Sequence, residues 1–271
     1  MKAQRILRLI CRGALVIILA SGLFAGSFTP YSYAHQFREI PNTAPSRTHW
    51  LGTDGLGRDL FTRVIYGTRV SLLLAPAAAM VATILAAILG GLAGLRGGWL
   101  EKIILASADL SMSLPLLFVL IALRALLPLD VSPVLSVVAT FVTLGVLGWP
   151  SSLRVVWAAA RNLRDSDHIL LARALGCRQS QILLRQAMPC LRPVFLAQFW
   201  ISIPVFILTE ATLSMLGLGV MEPLPSWGNL LHGAEDFSAM AANPCRLVPL
   251  FVLVLTVICF QFVFSGSEEL A

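Results

Sequence analysis

The groups able to do chemistry are sparse and dispersed in this sequence. Its 271 residues carry 14 Asp and Glu, 4 His and 5 Cys. Hydrolytic chemistry needs a nucleophile with its base, or converging metal ligands. His35, His49, His168 and His232 all fall in polar segments, and the chain has neither H-E-x-x-H nor G-x-S-x-G. Cys11, Cys177, Cys190, Cys245 and Cys259 form no C-x-x-C pair and read as small apolar residues or isolated thiols. There is no G-x-x-x-x-G-K-S/T phosphate loop, so any ATP chemistry belongs to another chain. The expectation is a protein that is not an enzyme and binds no metal or cofactor of its own.

Three charges stand inside or beside long apolar stretches: Asp109, Arg124 and Glu210. A carboxylate in hydrocarbon is costly, so such a residue normally faces protein or water. Asp109, Arg124 and Glu210 are therefore candidate gate or pathway residues. One reading pairs Glu210 with Arg124 or with backbone amides to hold an outer gate. The other makes all three near-interface residues whose side chains snorkel to water.

Composition sets the frame for these charges. The chain is 57% hydrophobic and 13% charged, with a mean hydropathy of +0.82. Soluble domains are about a quarter charged, so this is a membrane composition. The expected fold is all-α with about six transmembrane helices, each needing about 20 apolar residues. The first runs over 10–28 behind Lys2, Arg5, Arg8 and Arg12, and the alternative there is a signal peptide cleaved after Ser32-Tyr33-Ala34. Residues 29–69 are polar and form an external segment. Further spans are expected at 70–95, 103–127, 133–157, 193–218 and 247–264, with a polar loop at 158–192. The core is thus residues 70–264, followed by a short tail at 265–271 with Glu268 and Glu269.

The net charge of +6 could point to nucleic acid, but basic residues in a multi-span chain mark cytoplasmic loops. With the N-terminus inside, thirteen of the 20 Lys and Arg fall on inner segments, which favours both termini in the cytoplasm. Gly90, Gly91 and Gly94 in the second span, and Gly145 and Gly148 in the fourth, suit close helix packing.

The inner loop carries a helix, a glycine turn, a second helix and a proline. Asp165 and Asp167 suit the start of a helix that ends at Gly176, and 181–188 form a second helix halted by Pro189. Such a hairpin either docks into a groove on a soluble partner or lies on the membrane surface as an amphipathic loop. The stretch resembles the Glu-Ala-Ala loop of ABC importer permeases. Ala172, Gly176 and Pro189 stand at the family's spacing, while Leu170 and Leu171 replace its Glu and first Ala, and Gln186 and Met188 its Ile and Leu.

Two more blocks resemble the dipeptide, oligopeptide and nickel permeases. One is 49–59, with Gly52, Thr53, Asp54, Gly57, Arg58 and Asp59, followed by 66–72. The other is 210–219 together with Pro225-Ser226-Trp227-Gly228-Asn229. Asp109 and Pro115 fit a further Asp-x5-Pro feature. The resemblance covers roughly residues 48–264 and implies an ABC type I importer permease in the bacterial inner membrane. It implies a second related permease as partner, two ATPase subunits that hydrolyse ATP, and an external solute-binding protein. Ala172, Arg173, Gly176 and Pro189 become the candidate ATPase-coupling residues. The substrate would be a peptide or a similar small solute such as a nickel chelate. A metal or phosphate site in the Gly-rich 49–59 segment is the alternative to a structured outer loop. A stand-alone secondary transporter and a degenerate, non-transporting permease remain the alternatives for the whole chain.

Overall fold

The computed structural model describes residues 2–115, 118–119, 121–122, 132–178 and 181–264. Among these it is helical, with one isolated antiparallel bridge between Thr53 and Asp59. Helix α1 covers Lys2–Leu23 and is followed by a single turn, Ala25–Phe28. Helix α2, Leu60–Arg96, is the axis of the molecule. Its 37 residues rise about 55 Å, well beyond a hydrocarbon core of about 30 Å. Its helix therefore starts outside the apolar stretch, in the polar segment 29–69 that precedes the expected span. The buried face of α2 is lined by Ala75, Ala78, Ala79, Ala82 and Ala86. Small residues let the neighbouring backbones approach, which supplies the packing that lipid cannot.

Helix α3, Gly98–Ser113, turns back on α2 at Gly97 and Gly98 and ends before Pro115. Most of the remainder of the expected third span lies outside the described residues, as does Arg124. Helices α4 (Pro133–Leu147) and α5 (Trp149–Arg164) form one long run interrupted at Gly148. Pro150 in the first turn of α5 lacks an N–H, which explains the break there. Helix α6 (Asp167–Ala174) leads to the π turn Ile182–Ala187, then α7 (Met188–Met215), α8 (Trp227–His232) and α9 (Phe237–Ala242). A 3₁₀ turn, Pro244–Leu247, opens α10, Val248–Phe264. Five of the helical runs described are long and apolar enough to cross a membrane.

Helices α3, α4, α5 and α7 pack around α2, while α1 lies against both α2 and α10. The glycine seam is real at four of five positions. A Cβ on Gly90 or Gly94 would run into the α5 backbone, on Gly145 into the Ala78 carbonyl, and on Gly148 into the Phe206 ring. Gly91 meets nothing. Its side of α2 is not a seam.

Pro189 corrects an expectation. It does not halt a helix; it sits in the first turn of α7, and the π turn runs into that helix without interruption. The wider π turn spaces the carbonyls differently from an α turn, and the proline falls where the two patterns meet. Asp165 also differs from expectation: it closes α5, leaving Ser166 as the residue before α6.

Candidate functional site

Two ends of the bundle concentrate the polar residues. At one end, Asp59 starts α2 by accepting from Thr62 N at 2.8 Å, and its other oxygen meets His49 Nδ1 at 2.9 Å. The sharp reversal before it needs Gly57, whose φ is +72° and whose Cβ would strike the Phe37 carbonyl. Gly52, at φ +79°, is held as closely against the Thr43 carbonyl and Asn243. Thr53 Oγ1 donates to the Ile40 carbonyl at 2.6 Å and is fully buried. Asp54 accepts from the backbone of Leu56 and Arg58, a local turn that also receives Arg58 Nε at 2.7 Å.

Arg58 then reaches across the molecule. Its Nη1 donates to Glu222 Oε2 at 2.6 Å, while Arg63 Nη2 donates to Glu222 Oε1 at 2.7 Å. The Arg63 side chain is 1% exposed, so this charge is held entirely within protein. Asn243 Nδ2 donates to the Leu51 carbonyl at 2.8 Å, and Arg246 bonds Asn42 and the Gly233 carbonyl. The 49–59 segment is thus a structured loop strapped to the chain after α7 and before α10. Asp54 and Asp59 already have hydrogen-bonded partners and Arg58 already meets two carboxylates, which leaves a metal or phosphate reading unsupported.

Beneath the clasp lies Glu210, completely buried. Ser214 Oγ donates to its Oε1 at 2.6 Å, and among the described residues no backbone amide bonds it. Ser214 Oγ in turn accepts from Val220 N at 3.2 Å and stands 3.5 Å from Ser226 Oγ. Ser226 caps α8 through a reciprocal capping box with Asn229. Trp227, fully buried, donates through Nε1 to Thr68 Oγ1 at 3.2 Å and through its backbone N to Ser71 Oγ at 3.4 Å. A Cβ on Gly228 would stand 2.6 Å from Ala211 Cα. The residues 66–72, 210–219 and 225–229 therefore converge on one corner, where α8 is wedged between α2 and α7. Full burial rules out snorkelling for Glu210, and among the described residues a serine hydroxyl, not a backbone amide, bonds its carboxylate; the pairing with Arg124 lies outside the described residues.

Asp109 lies elsewhere. It pairs with Arg154 between α3 and α5, and both side chains are about half exposed. Nearby, Trp157 Nε1 donates to Glu101 Oε1 at 2.8 Å, a second polar tie between the same helices.

The opposite end carries the hairpin. Cys177 N donates to the Ala172 carbonyl at 3.1 Å and Gly176 N to the Arg173 carbonyl at 3.0 Å, with Gly176 at φ +76°. This is the Schellman closure that the glycine spacing predicts. Ile169, Ala172 and Ile182 pack the two limbs together. Arg173 Nη2 donates to the Leu95 carbonyl at 3.3 Å, where the last turn of α2 leaves carbonyls free for a cation. Pro189 belongs to the root of α7, so the four candidate coupling residues fall in one hairpin and its stem.

Glu222, Arg63, Asn243 and Arg154 were not legible as site residues. Arg63 and Arg154 stand in helical stretches where their charge is out of keeping with the pattern, which is a usable signal. Glu222 and Asn243 lie in polar loops that offer none.

A bundle whose described residues are helical, with five runs long and apolar enough to cross a membrane, defines an all-α multi-pass membrane protein. Residues 86–270 match the family of binding-protein-dependent transport system inner membrane components. The chain is 31% identical over 256 residues to the oligopeptide transport system permease protein OppC of Bacillus subtilis, covering 94% of this chain and 81% of that protein. It is 30% identical over 256 residues to the dipeptide transport system permease protein DppC of the same organism, covering 94% and 78%. It is 31% identical over 256 residues to the glutathione transport system permease protein GsiD of Pectobacterium atrosepticum, covering 94% and 83%. This chain belongs to the family of binding-protein-dependent transport system inner membrane components. It is a permease component of an importer, multi-pass in the membrane, and not an enzyme.

Proposed function

We propose that this chain forms half of the translocation pathway of an ATP-driven importer for peptides or a similar small solute, nickel chelates included. It pairs with a second, related permease, receives solute from an external binding protein, and binds no cofactor itself. Two partner ATPase subunits hydrolyse ATP. The clasp of Arg58, Arg63 and Glu222 faces outward, and both chain termini and the hairpin lie in the cytoplasm.

One observation carries the coupling role: the hairpin limb 182–187 passes unbroken into α7, and the far end of α7 holds Glu210 against the corner occupied by α8. Displacement of the hairpin is therefore a displacement of the helix that seats the outer lock. Asp109 and Glu210 are pathway-side residues in this reading. A tagged chain purified in mild detergent tests it. The wild type should bring down a second permease and an ATPase. Gly176→Val, which forces a β-branched residue to φ +76° without a steric clash, should lose the ATPase and keep the permease. Recovery of both subunits by both proteins would sink the coupling role.

A further inference from the structure

Arg58 and Arg63 aim two guanidinium groups at one point, and the group that fills it is the least fixed of the three. The Arg58 and Arg63 side chains are 10% and 1% exposed, whereas that of Glu222 is 48% exposed. Both arginines are anchored: Asp54 pins Arg58 through Nε, and Arg63 projects from the first turn of α2. Glu222 lies in the irregular stretch between α7 and α8. Among the described residues, neither Met221 nor Glu222 donates a backbone hydrogen bond. The bonds that Glu222 makes are those of its carboxylate.

Arg63 also has donors to spare. Its Nε and Nη1 are buried without a hydrogen-bond partner, and the Asp54 carboxylate stands 3.8 Å from Nε. Buried N–H groups left unpaired are rare and call for a partner. Charge gives the same answer. With Glu222 withdrawn, the two arginines would retain only Asp54 as a carboxylate partner, an excess of one positive charge. Guanidinium groups bind carboxylates through paired N–H···O bonds. The pair without Glu222 therefore suits a group that carries one negative charge.

We propose that Arg58 and Arg63 form a carboxylate-binding site, which Glu222 fills as a tethered stand-in and yields to the free carboxylate of the imported solute. This rests on the peptide reading and on the outward placement of the clasp given above, and deepens both. A tethered carboxylate acts at an effective concentration on the order of millimolar, so dilute solute does not displace it. A solute handed over by a docked binding protein meets the pair at a comparable local concentration. Exchange frees the stretch at Met221 and Glu222, which leads through Pro225 into the Ser226 cap of α8.

Two measurements on the full-length chain, purified with its partners in mild detergent, test this. The first is chemical rescue. Glu222→Ala should lower the thermal midpoint, and about 50 mM sodium propionate should restore about half of the loss by binding the folded chain. Sodium chloride at the same ionic strength should restore none of it, and neither should propionamide. Adding Arg63→Gln to Glu222→Ala should abolish the effect of propionate. The second measurement leaves the clasp intact, so it decides the matter alone if Glu222→Ala does not fold. Met221→Cys should react about threefold faster with a methanethiosulfonate reagent in about 50 mM trialanine than in buffer, followed by mass spectrometry of that peptide. Trialanine amide, which lacks the carboxylate, should leave the rate unchanged. Failure of propionate to rescue would mean that the arginines take no external carboxylate, and the site would fall. Rescue with no change in labelling would make Glu222 a fixed tie and overturn the exchange. Equal acceleration by trialanine and its amide would remove the carboxylate as the group recognised. Neither readout uses ATP or the ATPase, so the recovery of partner subunits described above decides the importer reading separately.

Discussion

Arg58 Nη1 meets Glu222 Oε2 at 2.6 Å although 164 residues separate them in the chain. The carboxylate is shared, because Arg63 bonds its other oxygen from inside the first turn of α2. One half-exposed glutamate therefore ties the loop that starts α2 to the loop that follows α7. Those are the helices between which α8 is packed at this end of the bundle.

The clasp should be measurable as a coupling energy. Removing Glu222 leaves the buried Arg63 only Asp54, whose Oδ2 lies 3.8 Å from its Nε, as a counter-charge, and breaking a dry pair outright costs about 3–5 kcal/mol. Glu222 is half exposed, so solvent screening reduces this to about 1–2 kcal/mol. Thermal unfolding in detergent of Glu222→Gln, Arg63→Gln and the double variant should show non-additivity of that size. Additive losses would mean the two groups do not hold one another.

Glu210→Gln tests the buried corner. The amide keeps the side chain's volume and can still accept from Ser214, so membrane abundance should stay at the wild-type level. Uptake of the transported solute should fall, because the carboxylate is replaced where α7 meets α8. Unchanged uptake would remove Glu210 from the mechanism.

Five of the six expected spans and the hairpin's glycine were legible because their causes are local. An apolar run reports a membrane helix through length alone, and Gly176 reports a left-handed turn because other side chains resist that φ. The clasp was not legible: Arg58 and Glu222 follow no periodicity, and only the folded chain brings them together. Glu210 was flagged by its apolar neighbours, yet its partner was missed, because Ser214 one turn later looks like an ordinary small residue for helix packing. Pro189 misled, since the rule that proline stops a helix assumes α geometry on both sides. The early start of α2 was hidden because Thr62, Arg63 and Thr68 interrupt the apolar pattern of 60–69, yet these polar residues are buried in protein, not solvated.

Two glycines a turn apart should answer oppositely to the same substitution. A Cβ at Gly94 would lie 2.6 Å from Ala160 Cβ and 2.7 Å from the Trp157 carbonyl. Gly94→Ala should therefore destabilise by about 1–3 kcal/mol through forced separation of α2 and α5. Gly91→Ala meets no neighbour within 4 Å and should gain up to about 1 kcal/mol from helix propensity. Thermal melts of the two variants in one detergent decide it, and equal shifts would refute the seam.

Asp109 and Arg154 pose a sharper question, since their surroundings are apolar and open. Leu110, Met112 and Leu114 beside Asp109 are all exposed, so this end of α3 meets lipid or another apolar surface. A lone charge there costs about 2.5–3.5 kcal/mol on insertion scales, and pairing offsets part of it. Arg154→Gln should strand the carboxylate and lower membrane abundance. Asp109→Asn should strand the guanidinium and do the same. The double variant removes both charges and should recover abundance toward wild type, because neither residue is then left unpaired in an apolar setting. If the double variant is as depleted as the sum of its singles, the pair serves packing or transport through something other than mutual neutralisation. Quantitative immunoblots of membranes from the four strains distinguish these outcomes without any transport assay.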